Sequence, residues 1–144
     1  MTHRAIISLF FIVLLFVTPT FGGSDIVICD ASGLTIGRIN DDGRVDDASG
    51  LTVGRIWDDG RVDDKSGMTI GYVRSGRVDN ASGMTIGYVR DDGRIDGSLG
   101  MTIGYIREGR VEYSSTLSAL TYSGSMDLEK IAAYLFFFNR ILFE

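Results

Sequence analysis

One short unit of sequence, 16 or 17 residues long, is repeated along the middle of this chain. The segments GRVDDASGLTVGRIWDDG, GRVDDKSGMTIGYVRSG, GRVDNASGMTIGYVRDDG and GRIDGSLGMTIGYIREG align almost residue for residue. The glycines at one corner of the unit are Gly33, Gly50, Gly67, Gly83 and Gly100, and those at the other corner are Gly43, Gly60, Gly76, Gly93 and Gly109. A fixed period of this kind predicts a stack or a ring of one small structural unit.

Each unit contains two extended pieces separated by turns. In the third copy, residues 61–64 form a short piece, and residues 68–73 form a longer one rich in β-branched and aromatic residues. Gly, Asp, Asn and Ser occupy the corners, where tight turns need positive φ or local capping. The unit therefore predicts a β-hairpin, and the 16/17 alternation falls in a turn. Because an open sheet of such hairpins would leave two unpaired edges, we expect a shallow closed ring or barrel of antiparallel hairpins.

The longer piece of every copy holds two apolar residues three positions apart, with a glycine between them. In the third copy these residues are Ile70, Gly71 and Val73. A spacing of three would place the two apolar side chains on opposite faces of a regular strand. The glycine indicates either a β-bulge that returns both to one face or a point where another backbone approaches closely.

The first 22 residues have the layout of a secretory signal peptide. Arg4 precedes an apolar run over residues 5–17, Pro19 follows, and Thr20 and Gly22 offer small residues before a cut. The alternative is an uncleaved anchor. We therefore expect an exported protein of the periplasm, envelope or extracellular space, with a hairpin domain over residues 23–124. Its one cysteine, Cys29, is expected to be a buried apolar residue rather than an intermolecular link.

From residue 125 to residue 144 the apolar pattern becomes helical. Ser125 or Asp127 can cap the helix, and Glu129 falls in its first turn. The apolar residues of this tail are Leu128, Ile131, Leu135, Phe136, Phe137, Phe138 and Leu142. The helix is expected either to plug or cap the ring as part of its core, which we favour, or to contact a membrane surface or a partner groove.

The aspartates at the corners are the most numerous candidates for chemistry. Their spacing matches neither an EF-hand loop nor a calcium-binding nonapeptide, and aspartate is common in turns for its own reasons. Paired carboxylates also serve glycosidases, but catalysis needs one asymmetric constellation and a repeat provides copies. The only histidine, His3, lies in the predicted signal segment. We expect no enzymatic activity, metal or cofactor.

A belt of large polar side chains is the candidate binding surface. The position after the repeated glycine is occupied by Arg38, Arg55, Tyr72, Tyr88 and Tyr105. Such a belt would suit a sugar or a lipid headgroup, while its alternative explanation is ordinary cross-strand packing. Trp57 stands where other copies have Asn or Arg, and it is either a ligand contact or incidental. The formal net charge of −5 and the lack of a basic cluster argue against a nucleic-acid partner.

The units GRVDDKSGMTIGYVRSG and GRVDNASGMTIGYVRDDG resemble the repeats of β-flower proteins, small exported bacterial chains with a petal-like ring of hairpins, described as 4-fold. The resemblance implies a shallow symmetric barrel, an aromatic-rich tail and no established activity. This chain has five clear hairpins and a degenerate copy over residues 110–124, so its number of hairpins departs from four. We expect an exported structural or binding module of the cell envelope, or else a membrane-surface protein that acts through its Phe-rich helix.

Overall fold

The computed structural model describes residues 25–114 and 119–139 of the 144-residue chain. The predicted signal segment, 1–22, and the tail residue Leu142 lie outside the described residues. The strands are β1 Ile26–Cys29, β2 Thr35–Ile39, β3 Arg44–Asp47, β4 Thr52–Ile56, β5 Arg61–Asp64, β6 Thr69–Arg74, β7 Arg77–Asn80, β8 Thr85–Val89, β9 Arg94–Gly97, β10 Thr102–Arg107, β11 Arg110–Tyr113 and β12 Ala119–Ser123. One helix, α1, spans Leu128–Phe137.

The strands form a closed antiparallel barrel. Each strand pairs with its neighbours in the sequence, and β12 pairs with β1 to complete the ring. The degenerate copy supplies β11 and β12, so the ring contains six hairpins, of which five come from clear copies. The predicted fold class, an all-β ring of repeated hairpins with a C-terminal helix, is confirmed.

Two kinds of turn alternate around the barrel, one at each end. The first turn joins the short strand to the long one, as at Asp47–Leu51, where Gly50 has a φ of 84° and its N–H donates to the Asp47 carbonyl. The second turn joins the long strand to the next short one. In its shorter form Ser75 and Gly76 both have positive φ, at 51° and 75°. Positive φ at both central residues suits a two-residue hairpin loop, because its twist matches that of the flanking strands.

A β-bulge interrupts the long strand of each clear copy just before the repeated glycine. In β4, Gly54 pairs with Val45 and Thr52 pairs with Asp46, so Val53 is the extra residue. Val53 is partly buried and packs against the same core as Ile56. The equivalent bulge residues are Ile36, Ile70, Ile86 and Ile103. Of the two explanations for the glycine, the bulge that returns both apolar residues to one face is therefore confirmed.

Helix α1 begins at the end of the barrel that carries the second turns. The Asp127 carboxylate caps it by accepting a hydrogen bond from the Lys130 N–H at 3.0 Å. Glu129 then accepts from the N–H of Gly76, a second-turn glycine, at 2.9 Å. These two bonds fix where the chain enters the barrel after β12.

The helix fills the interior of the barrel. Residues 131–136 are buried on every side of the helix, at 0–4% exposure. Consecutive residues of a helix point about 100° apart, so an unbroken aromatic run reaches different walls. Aromatic rings occupy the space above four repeated glycines, with Tyr134 at Gly37, Phe138 at Gly54, Phe137 at Gly71 and Phe136 at Gly87. The prediction that the helix plugs the barrel is confirmed. The groups that approach the repeated glycines closely are aromatic side chains of the helix as well as backbone atoms.

Two buried tyrosines complete this interior. Tyr113 pairs with the fifth repeated glycine, Gly104, and is itself buried. Burial raises the pKa of Tyr134 to about 12. Burial, together with the nearby Tyr134 hydroxyl, raises the pKa of Tyr113 further still. Both phenols therefore stay neutral at any physiological pH, as apolar surroundings require.

The prediction for Cys29 can be compared with the structure. Cys29 lies at the end of β1 and is partly exposed, so its predicted burial is wrong. It alternates with the inward-facing Ile26 and Ile28, which places it toward the outer face. No helix among the described residues is long and apolar enough to cross a lipid bilayer.

Replacement of Gly71 by alanine tests the contact between the aromatic side chains of α1 and the repeated glycines. A Cβ at Gly71 would overlap both the Phe137 ring and the Asp79 carbonyl oxygen. We expect Gly71→Ala to lower the free energy of unfolding by at least about 2 kcal/mol, within the range typical of overpacked cores. The measurement is urea unfolding followed by circular dichroism.

Gly97→Ala is the matched control, because Gly97 is also a strand glycine but a Cβ there meets only ordinary contacts, at 3.6 Å or more. We expect it to change stability by no more than about 0.5 kcal/mol, or to stabilise slightly by restricting the unfolded chain. Equal stability of the two variants would contradict the inference that the aromatic side chains of α1 need the space above the repeated glycines.

Candidate functional site

The predicted belt runs along the outer wall of the barrel. Each belt residue lies opposite an acid of the following short strand, as Tyr72 lies opposite Asp79 and Tyr88 opposite Asp96. On the other side of every belt residue except Arg38, which lies beside Val27, stands an arginine of the preceding short strand, as Arg61 beside Tyr72. The five predicted belt residues, Arg38, Arg55, Tyr72, Tyr88 and Tyr105, are all half-buried and share this position. The structure thus brings them into equivalent places around the wall.

Between the belt residues lies a column of acids that the sequence reading did not single out. It consists of Asp46, Asp63, Asp79, Asp96 and Glu112, and the four aspartates are 1–9% exposed. Each aspartate accepts a hydrogen bond from a threonine hydroxyl on the following strand, at 2.9–3.1 Å. The sequence signal was present, since an acid follows Arg-Val or Arg-Ile in every copy after the first. A surface acid and a buried one nevertheless look alike in sequence.

Two acids of this acidic column, Asp96 and Asp46, are held ionised by their partners. Burial alone would raise the pKa of Asp96, but hydrogen bonds from Arg90 and Thr102 and the charge of Arg94 outweigh it and lower the pKa below the ordinary 3.8. The pKa of Asp46 is lowered in the same way, because hydrogen bonds from Asn40 and Thr52 and the charge of Arg44 outweigh the effect of burial. Asp46 and Asp96 therefore act as fixed negative anchors for the wall.

The arginines of the wall approach the acidic column with the same atom. Six of them place Nε within 2.9–3.3 Å of a column carboxylate, and these are Arg44, Arg61, Arg77, Arg90, Arg94 and Arg107. Three guanidinium groups also lie over belt tyrosines, with Arg74 4.4 Å from the Tyr72 ring centre. In Arg90 and Arg107 an Nε anchor and an aromatic support together fix the guanidinium plane.

Charge is separated along the barrel axis, which the net charge of the chain conceals. All ten arginines of the described residues lie on the wall, with side chains 37–61% exposed where they form ion pairs. The exposed acids gather at the turns instead, for example Asp41, Asp42, Asp58, Asp59, Asp91 and Asp92. The arginines are therefore gathered on the wall, and nine of them pair with an acid.

Trp57 occupies a particular place in this wall. Its Nε1 donates to the Asp63 carboxylate at 2.7 Å, which is the role that Asn40 plays toward Asp46 in the preceding copy. The Arg55 and Arg61 guanidinium carbons each lie 4.8 Å from its ring centre. Two cavities adjoin Trp57, of about 210 Å³ on the wall and about 130 Å³ near the start of α1. Its ring remains 38% exposed.

The end of the barrel that carries the first turns exposes a ring of apolar side chains. This apolar rim consists of Leu34, Leu51, Met68, Met84 and Met101, each 65–72% exposed. Each follows a first turn in an equivalent position of its copy. The sequence reading did not identify the rim, because the two apolar positions further along the strand dominated the pattern.

The remaining predicted residues belong to the tail. Ile131, Leu135 and Phe136 are fully enclosed by the barrel, and Leu128, Phe137 and Phe138 pack against the core from partly buried positions. Within residues 25–114 and 119–139, no group of three or more His, Cys, Asp or Glu side chains is arranged to hold a metal ion.

Comparison with models of protein families gives a match over residues 27–139 to a family described as 5-fold beta-flower protein. The number five agrees with the five clear copies of the unit, and neither a fourfold ring nor a bacterial origin receives support. Comparisons with curated proteins and with solved structures gave no match.

Asp96→Asn tests the acidic column. We expect this variant to lose about 1.5–3 kcal/mol at pH 7, because hydrogen bonds to a charged group are lost while the shape is kept. A folded-state pKa below the unfolded value gives stability that is present above about pH 4 and is lost as the pH falls through the folded pKa. The difference between the two proteins should therefore shrink below pH 4.

The measurement is chemical unfolding of both proteins from pH 7 down to pH 2.5. Asp91→Asn is the control, since Asp91 is an exposed second-turn residue in the same copy. A difference for Asp96→Asn that does not depend on pH would contradict the assignment of a charged anchor.

Proposed function

The chain belongs to the family of 5-fold beta-flower proteins, and on this fold we propose that it is an exported, non-catalytic binding module whose wall binds an anionic polymer of the cell envelope. The observation that carries the proposal is the arrangement of the wall arginines. Six of them hold Nε close to an acid of the acidic column, which is buried in every case but that of Glu112, so the terminal nitrogens are presented in fixed planes around the barrel.

Fixed guanidinium groups favour binding of planar or tetrahedral anions. The guanidinium fork matches carboxylate and phosphate geometry, and a side chain that is already ordered loses less entropy when it binds. Because the same group recurs in successive hairpins, individually weak contacts would add up along a repeating ligand. A polymer with regularly spaced charges exploits this arrangement better than a small molecule does.

The non-catalytic and exported character rests on the sequence. Copies of one constellation suit repeated binding, whereas a reaction needs a single asymmetric site. Export is supported by the basic start, the apolar run and the small residues of the first 22 positions. An envelope polymer is then the anionic partner that such a protein would meet.

A triple variant of the wall tests this function. Arg74→Asn, Arg90→Asn and Arg107→Asn reproduce the natural residue Asn40, which donates its own hydrogen bond to the column acid. The variant therefore removes three charges, and at positions 90 and 107, whose arginines donate to a column acid, a donor stays in place. We expect it to bind polygalacturonate about three- to tenfold or more weakly in 50 mM salt, since exposed ion pairs contribute roughly 0.2–1 kcal/mol each.

Sedimentation with polygalacturonate, and with neutral dextran as the control polymer, gives the measurement. Thermal unfolding verifies that the variant is folded. Equal binding of wild type and variant, equal binding to dextran, or tighter binding to a DNA oligonucleotide than to polygalacturonate would each contradict the proposal.

A membrane-surface function is the second candidate, and the apolar rim favours it. The Phe-rich helix gives it little support, because residues 131–136 are enclosed by the barrel. The rim instead offers five equivalent apolar tips at one end of a ring, a geometry that fits a planar surface. The turn acids Asp30, Asp47 and Asp64 lie beside these tips, and their pKa is lowered by hydrogen bonds within the turn. The expected surface is therefore a zwitterionic bilayer.

Flotation with phosphatidylcholine vesicles distinguishes the two candidates. Under the second candidate, the triple variant Met68→Ser, Met84→Ser and Met101→Ser loses flotation, because about 0.8 kcal/mol is lost for each buried methylene. The triple arginine variant is the control and should float like wild type. Flotation that requires anionic lipid, or that survives in the methionine variant, would count against a rim contact.

A further inference from the structure

Comparison of the copies with one another isolates the residues that the repeat does not require. Two wall residues have no counterpart elsewhere. Trp57 stands where the other copies have Asn40, Arg74, Arg90 and Arg107, and Lys65 stands where they have Ala31, Ala48, Ala81 and Ser98. Trp57 lies just before β5 and Lys65 just after it. Residues that depart from a repeat serve something other than the common fold.

Trp57 and Lys65 lie beside the same cavity. Trp57 and Lys65 both line the wall cavity of about 210 Å³, together with Arg44 and Arg55. The belt position here is Arg55, which is tyrosine in the three later copies. Three cationic side chains and an indole therefore surround one cavity of the wall.

The acids of this cavity are already engaged with other partners. Asp63 accepts hydrogen bonds from Trp57 Nε1 at 2.7 Å and from Thr69 at 2.9 Å. Asp64 accepts from the Ser66 hydroxyl and the Met68 N–H, at 2.8 and 3.0 Å, within its turn. None of the ion pairs found among the described residues involves Lys65. Arg44 pairs with Asp46 at 3.2 Å, and Arg55 pairs with Asp42 at 3.8 Å. The cavity thus keeps the Lys65 ammonium group for a ligand.

We infer that this cavity, bounded by Arg44, Arg55, Trp57 and Lys65, binds one sugar residue that carries a carboxylate or phosphate group. The inference rests on the proposed function and assigns a dominant subsite to the polymer that the wall binds. The guanidinium groups and the ammonium group meet the anion. The exposed part of the indole, whose ring also carries the Arg55 and Arg61 guanidinium groups, contacts the sugar. A volume of about 210 Å³ is smaller than a typical drug-sized pocket, so a single ring is the fitting occupant.

Trp57 is the only tryptophan of the chain, so its fluorescence reports on this cavity directly. We expect saturable changes in fluorescence with oligogalacturonate, with glucose 6-phosphate or with both, and none with galactose. The two anionic ligands tell a carboxylate-bearing source from a phosphate-bearing one. Binding of the effective ligand should weaken at least about tenfold in Lys65→Ala, which reproduces the alanine of other copies.

The double variant Lys65→Ala/Ala81→Lys is the matched control, because it moves the lysine to the next copy and keeps charge and composition. It should lose binding as Lys65→Ala does. Trp57→Asn, which keeps a donor for Asp63 as Asn40 does for Asp46, should weaken binding measured by calorimetry.

Three results would overturn the inference. Full binding by Lys65→Ala/Ala81→Lys would mean that total charge matters and position does not. Fluorescence that responds to galactose as strongly as to the anionic sugars would show that the cavity does not require a carboxylate or phosphate group on its ligand. An unchanged fluorescence with every sugar, while polygalacturonate still sediments with the protein, would overturn this subsite and leave the proposed function standing. If the polymer also fails to sediment with the protein, both fall.

Discussion

The contact between the repeated glycines and the aromatic rings of α1 is the constraint on which the barrel depends. Strands of four to six residues cannot supply a core by themselves, and the long strands of the clear copies each contain a glycine near the centre. The glycines leave room above the wall, and Tyr134, Phe136, Phe137 and Phe138 fill that room. Ring and helix are therefore one cooperative unit. A helix enclosed in this way is also unavailable for binding elsewhere, which directs attention to the outer surface.

The bulge beside each glycine connects this core to the wall. Because Val53 is the extra residue of β4, Thr52 comes to lie opposite Asp46 instead of one position away. The threonine hydroxyl then reaches the carboxylate at 2.9 Å, and the same irregularity turns the valine toward the core. A single departure from regular pairing thus packs the inner face and satisfies a buried acid on the outer face. The arginine planes depend on that acid, so the wall geometry follows from the bulge.

Much of the fold could be predicted because repetition multiplies weak signals. One hairpin would have been an uncertain reading, whereas five aligned copies indicate turns, strands and closure together, and the Phe-rich run indicates a buried helix. The candidate site was harder to predict from the sequence. Asp46 and Asp79 read as ordinary surface acids, since burial under neighbouring arginine side chains is a tertiary property. Likewise, the net charge of −5 is a sum that hides a basic wall between acidic ends. Cys29 was misplaced because its type favours burial while its position in β1 points outward.

Symmetry sets the limit on what the common unit can explain. An interaction that serves the fold recurs in equivalent positions, as the threonine bonds to Asp63, Asp79 and Asp96 do. A residue that appears once has to be explained by something that happens once. Trp57 keeps the hydrogen bond that its position requires, through Nε1 to Asp63, but asparagine provides that bond in the preceding copy with a far smaller side chain. The hydrogen bond to Asp63 therefore does not require a side chain as large as the indole. The exposed surface of the indole beside Arg55 and Lys65 is where a ligand would make a selective contact.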